Sequence, residues 1–302
     1  MKDVLFRWLA RIFVPAWAKE MEQEGLFDLR GADPNAVDES KYIVVEDNGA
    51  DVTIFVFSGL DGLFGAGPRF EFRNLFGKLG CRYNLVFVRE LRGYFYHLTP
   101  SGTLGGLEFY ERRLNDAKKR LGASYNVAMG FSAGGTAAFY FGSRCGMDKI
   151  IGFCPSFPVA VYTSPGAILR HAANVKKLLT DFAAYLEVSV VSIWGNLATH
   201  RLHKAVGRDS AWDVMSTYRN CPSGRPMATV VFGAGCQQDR AQAQGLADLP
   251  EVKLRPVATG FHNVPGELKK RGELGPLLVE EIQELLATEE SLPTAARVAS
   301  GA

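Results

Sequence analysis

Gly130-Phe131-Ser132-Ala133-Gly134-Gly135 follows a short apolar run, Tyr125-Asn126-Val127-Ala128-Met129, and precedes Thr136-Ala137-Ala138-Phe139-Tyr140-Phe141. The first run reads as a buried strand and the second as a helix, so Gly-x-Ser-x-Gly falls at a strand-to-helix turn. A reversal that sharp holds its serine in a sparsely populated backbone conformation. Side chains two positions to either side would strike the flanking strand and helix, which is why Gly130 and Gly134 are needed there. The turn lifts Ser132 Oγ into the open beside the positive end of a helix, a setting suited to a nucleophile. In a chain with 32 glycines the bare string could be a plain glycine turn. The flanking strand, the helix and Gly135 give it weight.

Outward from that turn, apolar runs at 42–46, 53–57, 85–88, 126–129, 150–153, 228–232 and 252–257 read as strands. They are short, rich in Val, Ile and Phe, and mostly bounded by glycine or polar turns, as buried strands of a parallel sheet are. Helical patterns fall between them at 69–79, 104–121, 133–143, 240–246 and 267–286. Alternating strands and helices predict an α/β fold, a mostly parallel central sheet with helices on both faces. The stretch 156–226 breaks the rhythm and is too long for a simple connection, so it is expected to form a helical cap over the strand ends. Within it 169–186 looks helical, while 188–194 fits a strand or a mid-helix segment equally well. The charged, Thr-, Ala- and Ser-rich tail 288–302 is expected to fray.

A serine hydroxyl is a poor nucleophile at neutral pH and needs a base within hydrogen-bond reach. Histidine suits that task, and a carboxylate must then hold its tautomer and stabilise the imidazolium. On a sheet of this kind the three occur in the order Ser, acid, His, each on a loop after a strand. Of the histidines at 97, 171, 200, 203 and 262, only His262 lies downstream of both the serine and an eligible acid. It sits in Thr259-Gly260-Phe261-His262-Asn263-Val264, between the last strand and the last long helix, with Gly260 at the tight turn. Asp239, in Gly235-Cys236-Gln237-Gln238-Asp239-Arg240 past the 228–232 strand, is the leading acid. Its alternative role is a helix cap. Asp213 and Asp248 are the fallbacks.

Acyl chemistry also requires donors for a developing oxyanion. The backbone N–H of Ala133 is one, and that of Leu60, in Phe57-Ser58-Gly59-Leu60-Asp61-Gly62, is the other. Gly59 lets that backbone turn. Gly59, Asp61, Phe131 and Tyr94 are expected around the substrate, Tyr94 from the aromatic stretch 89–97, which alternatively packs under the cap. His200-x-x-His203 with Asp209 imitates a metal pair but lacks a third ligand at firm spacing, and reads as a solvated helix face. Gly65-Ala66-Gly67-Pro68 lacks the Gly-Lys-Ser/Thr ending of a phosphate loop. No metal or organic cofactor is implied.

At 302 residues with 47% hydrophobic content and a formal charge of +2, the chain reads as an ordinary globular protein. The near-neutral charge argues against a nucleic-acid partner. Its five cysteines, at 81, 145, 154, 221 and 236, form no Cys-x-x-Cys pair and suggest reduced thiols in the cytoplasm. In 1–18, Val4, Leu5, Trp8, Leu9, Ile12 and Phe13 repeat at helical spacing, with Lys2, Arg7 and Arg11 opposite. Arg7 and Arg11 interrupt the apolar stretch, so an amphipathic helix within 1–30 fits better than a cleaved signal. That helix could dock on the protein body, on a second copy of the chain, or in a peripheral membrane interface.

With elbow, acid and histidine in place, the stretch 42–286 resembles the α/β-hydrolase fold superfamily, which would make 40–287 one hydrolase domain. A narrower likeness is to bacterial α/β-hydrolase-like proteins found with cell-surface polysaccharide genes. It rests on Asp239-Arg240-Ala241-Gln242-Ala243, Gly260-Phe261-His262 and Leu268-Lys269-Lys270-Arg271-Gly272-Glu273-Leu274, with Gln242 standing where that pattern has histidine. The resemblance implies a serine hydrolase, a carboxylesterase, acting on a small-molecule or glycan acyl substrate. The same machinery could transfer the acyl group to a sugar hydroxyl, and the fold also hosts catalytically silent binding proteins.

Overall fold

Strands form where β-branched and aromatic residues run together, and every such run found in the sequence is a strand of one sheet. The computed structural model describes residues 38–60, 69–80, 82–156, 181–207 and 213–290, with Trp8, Arg11, Lys19, Glu22 and Gln23. Through them the order is β1 (Ile43–Glu46), β2 (Val52–Phe57), α1 (Arg73–Phe76), β3 (Asn84–Val88), α2 (Gly106–Leu121), β4 (Tyr125–Phe131), α3 (Ala133–Arg144) and β5 (Lys149–Phe153). Then come α4 (Phe182–Val206), α5 (Val214–Arg219), β6 (Met227–Gly233), α6 (Gln237–Gln244), β7 (Val252–Val257), α7 (Val264–Lys270) and α8 (Leu274–Glu290). The seven strands lie in the order β1-β3-β2-β4-β5-β6-β7. All neighbours are parallel except β1, which runs antiparallel to β3.

Alternation along the strands divides the core. Phe55, Phe57, Val86, Val88 and Ala128 face Tyr110 and Leu114 of α2 and Ala137, Phe139 and Phe141 of α3. Ile54, Val56, Val127 and Met129 face the other way, toward Val264 and Leu268 of α7 and Leu278 and Ile282 of α8. With both faces covered, β2 to β5 carry unbroken apolar runs rather than the alternation of a half-exposed sheet.

Several helix boundaries differ from the sequence expectation. The helix expected at 69–79 shrinks to α1, because Phe72 just before it adopts a left-handed φ of 62°. The 240–246 helix starts earlier, at Gln237, and ends at Gln244. The 267–286 helix is two helices: Asn263 caps α7 with Pro265 in its first turn, and Gly272, at φ 72°, separates α7 from α8. The 188–194 stretch lies inside α4 and is helical. The expected helix 169–186 falls mostly outside the described residues, which resume at Asp181. Of the N-terminal segment Trp8 and Arg11 are helical and exposed, and the rest of 1–18 lies outside the described residues. The tail expected to fray from 288 continues α8 to Glu290, and 291–302 lie outside the described residues. No helix among the described residues is long and apolar enough to cross a membrane.

A buried ion cluster locks α8 to the sheet. Lys149, at the start of β5, lies 2.8 Å from Glu281 of α8, and both side chains are almost wholly inaccessible. Thr229 donates to the same carboxylate at 2.5 Å and Arg255 at 2.9 Å. Burial penalises the charged Glu281, yet the Lys149 and Thr229 hydrogen bonds outweigh it and hold the carboxyl down at about 2. Glu281→Leu leaves the buried Lys149 ammonium with the partly exposed Glu284, 3.1 Å away, in place of its buried partner, so denaturant unfolding at pH 7 should show a loss of about 3 kcal/mol. A depressed acid pKa stabilises the fold above the unfolded-state value of 4.5. The wild-type advantage over the variant should therefore shrink as pH falls from about 4.5 towards 2. An advantage that stays constant across that window would show that the carboxylate is not the source.

Candidate active site

At the carboxyl end of β4 the chain reverses as the sequence requires. Ser132 has φ 54° and ψ −121°, a region L-residues rarely occupy, and its amide donates to the Phe153 carbonyl at 2.8 Å. The flanking glycines are there for want of space. A Cβ on Gly130 would lie 2.3 Å from the Gly134 carbonyl oxygen, and one on Gly134 would lie 2.2 Å from that of Phe57. Neither obstacle is a side chain that could swing away. Gly134→Ala should therefore lower the unfolding free energy by about 3 kcal/mol, measurable as a drop in thermal midpoint. A variant as stable as wild type would mean the elbow is looser than these contacts require.

Three post-strand loops then converge. His262, between β7 and α7, places Nε2 3.0 Å from Ser132 Oγ, and its Nδ1 lies 2.8 Å from Asp239 Oδ1. Asp239 occupies the first turn of α6 but is not its cap; Cys236 holds that position. Asp239 and His262 are 1% and 3% exposed, so water does not compete for the bond between them. The loops can approach this closely because Gly235 has no side chain: a Cβ there would sit 2.9 Å from the Thr259 carbonyl oxygen. The fallback acids are elsewhere. Asp213 caps α5, and Asp248 pairs with Arg219 at the surface.

Burial drives the His262 imidazole toward its neutral form. The Asp239 charge and hydrogen bond oppose this, Glu187 adds to them, and the net effect raises its pKa above 6.5. Glu187 reaches over from α4, accepting the Asn263 amide at 2.8 Å. Nothing in the sequence marked it, since it lies in an apolar helix far from the histidine. Tyr96, from the aromatic stretch 89–97, contributes from below: its hydroxyl donates to the Ser58 carbonyl at 2.9 Å and so braces the loop after β2.

The remaining expected residues divide. The Phe131 ring centroid lies 5.1 Å from that of His262. Gly59 abuts the elbow, where an added Cβ would lie 3.2 Å from the Phe131 carbonyl oxygen and 4.0 Å from Ser132 Cβ. Neither Gly59 nor Gly260 has a positive φ, so close approach rather than turn geometry is the reason for glycine at Gly59. Ala133 begins α3, so no intrahelical carbonyl can serve its amide. Leu60 is half-buried at the end of the β2 loop, and Asp61 lies outside the described residues. Of the aromatic stretch, Phe95 and Tyr96 are core residues rather than pocket lining. Tyr94 is half-buried and packs against that core, its amide bonded to Glu90 at 2.9 Å. His200 is exposed and His203 half-buried on α4, and Asp209 lies outside the described residues.

No protein-family model matches the sequence. No curated protein matches it either. Solved structures do match. A carboxylesterase from Nitrososphaera gargenis superposes with a TM-score of 0.51 at 14% identity, over 82% of this chain and 95% of its own. An esterase from Exiguobacterium antarcticum gives 0.51 at 14% identity, over 80% and 95%. The capsule O-acetyltransferase of Neisseria meningitidis serogroup A gives 0.50 at 15%, over 80% and 90%. The chain has the α/β-hydrolase fold. Its seven mostly parallel strands with helices on both faces are what the likeness covers. At these identities the likeness extends no further, and what this α/β-hydrolase-fold protein does must be argued from its own side chains.

Proposed function

We propose that the protein is a serine hydrolase that cleaves carboxylic esters through an acyl-enzyme. The observation that carries this reading is the unbroken chain from Ser132 Oγ through both nitrogens of His262 to Asp239. Ser132 Oγ attacks the acyl carbonyl while its proton passes to His262 Nε2, and Asp239 stabilises the resulting imidazolium at Nδ1. The tetrahedral oxyanion sits against the amides of Ala133 and Leu60. The Gly59 amide is already committed to Glu71 at 3.2 Å, which leaves the next amide along the loop for that task. Collapse expels the alcohol with the proton held by His262. Water then enters by the reverse sequence and releases the acid. α4, which brings Glu187 against the loop that carries His262, serves as part of the cap over the acyl group. No cofactor takes part.

The reading is tested with a panel of p-nitrophenyl esters of increasing acyl length. Expected is a burst of about one p-nitrophenol per chain with a turned-over substrate, and an acyl mass on the peptide containing Ser132. Absence of both across the panel, with the protein folded, would overturn it. Adding sugar acceptors to the same assay separates hydrolysis from transfer, because transfer diverts the acyl group from free acid to acylated sugar.

A further inference from the structure

The relay has a neighbour with no part in the reaction just described. Cys154 follows β5, is fully buried, and holds a left-handed φ of 45° with its amide bonded to the Val231 carbonyl. That conformation turns its side chain into the relay. Cys154 Sγ, a carboxylate oxygen of Asp239 and a ring nitrogen of His262 all lie within 4.8 Å of one another. The second carboxylate oxygen of Asp239, Oδ2, is buried with no nitrogen or oxygen donor among the described residues, and the Cys154 thiol is the group that faces the Asp239 carboxylate. One thiol, one imidazole and one carboxylate, buried side by side, make a mixed sulfur, nitrogen and oxygen donor set.

We propose that Cys154, Asp239 and His262 form an inhibitory binding site for a thiophilic divalent cation of the Zn²⁺ class. Such ions bind thiolate at about 2.3 Å and imidazole or carboxylate at about 2.0–2.2 Å, which sets ligand atoms about 3.3–3.6 Å apart in a tetrahedron. With the three ligand atoms within 4.8 Å of one another, small side-chain rotations suffice to reach that spacing, the 2.8 Å bond between His262 and Asp239 opening slightly. A hard cation such as Mg²⁺ is excluded by the thiol and by the shortage of oxygens.

The inhibition follows from proton bookkeeping at the imidazole, and in this respect it rests on the triad reading. In the working relay Nδ1 carries the proton, donated to Asp239, and Nε2 accepts from Ser132. A cation on Nδ1 takes that nitrogen's lone pair, so the ring proton moves to Nε2. The Cys154 thiol releases its proton to solvent on becoming a thiolate. With Nε2 protonated, His262 has no lone pair to receive the serine proton, and Ser132 remains a neutral hydroxyl.

The test combines a binding readout independent of catalysis with an inhibition readout. The full chain is titrated with Cd²⁺ under reducing, chelator-free conditions while thiolate-to-metal charge-transfer absorption is followed. Ester hydrolysis is then titrated with Zn²⁺. The proposal expects a Cd²⁺–thiolate band that saturates near one equivalent and is absent in Cys154→Ala. It also expects Zn²⁺ inhibition that a chelator reverses and that weakens about 100-fold or more in Cys154→Ala. Cys154→Ser, which keeps the volume closer to cysteine but supplies a poor ligand for a soft ion, should match Cys154→Ala and guards against a packing artefact. No band in the wild type, or equal Zn²⁺ inhibition of wild type and both variants, would overturn the proposal. If the chain hydrolyses no ester at all, the Cd²⁺ band still decides whether the site exists.

Discussion

Ser132→Ala should lower kcat for ester hydrolysis by about 10⁶-fold, the loss expected when the nucleophile of such a relay is removed. What survives, about 10³–10⁴ above the reaction in water, would come from the oxyanion donors and substrate binding. Folding should not suffer, because alanine keeps the Cβ and removes only the hydroxyl. The strained backbone supplies a control. Ser132 sits at φ 54°, ψ −121°, where glycine is at home and other residues are not. Ser132→Gly should therefore be as inactive as the alanine variant yet more stable by about 1 kcal/mol or more, read from thermal and denaturant unfolding. A Ser132→Ala protein that keeps a tenth of its activity would refute the nucleophile assignment. A glycine variant that loses stability would refute the account of the elbow as strained.

Asp239→Asn should cost about 10⁴-fold in kcat while leaving the fold and substrate affinity close to wild type. The asparagine amide is nearly isosteric but no longer anionic. It permits the imidazole tautomer with its proton on the wrong nitrogen, and it withdraws the charge that stabilises the imidazolium. The pH profile makes this test specific. His262 must be neutral to accept the serine proton, and burial opposed by Asp239 and Glu187 leaves its pKa above 6.5. The kcat/KM profile of the wild type should therefore fall on the acid side with a midpoint above 6.5. Removing the Asp239 charge leaves burial unopposed by its strongest counterweight, so the midpoint should move to lower pH. A variant with a tenth or more of wild-type activity, or a midpoint that does not move, would show that Asp239 is not coupled to the base.

Most of this architecture could be read from the chain because its signals are local. Parallel strands covered on both faces must be continuous apolar runs, and Phe55 and Val56 point to opposite cores with no polar break between them. The reactive order was legible for a related reason. A loop following a strand delivers its side chains to one edge of the sheet, so position after a strand stands in for position in space. The misses have the opposite character. Residues 188–194 are apolar without a resolving period, so no spacing rule can separate helix from strand there, and only the structure places them in α4. Glu187 and Cys154 matter only through contacts with loops distant in sequence. Lys149 and Glu281, 132 residues apart, could not be paired from a list of charged residues, since each alone resembles a surface side chain. Phe72 was unreadable for a different reason. Its left-handed backbone is unusual for an aromatic residue, and nothing in its own sequence neighbourhood announces it.

The most direct measurement is covalent capture of the serine. The folded chain is incubated with a fluorophosphonate, digested and mapped by mass spectrometry, alongside Ser132→Ala and His262→Ala. The account predicts one adduct per wild-type chain, located on Ser132, none on the alanine variant, and slow labelling when the histidine is gone. Equal labelling of wild type and Ser132→Ala, or a wild-type adduct on some other residue, would contradict it.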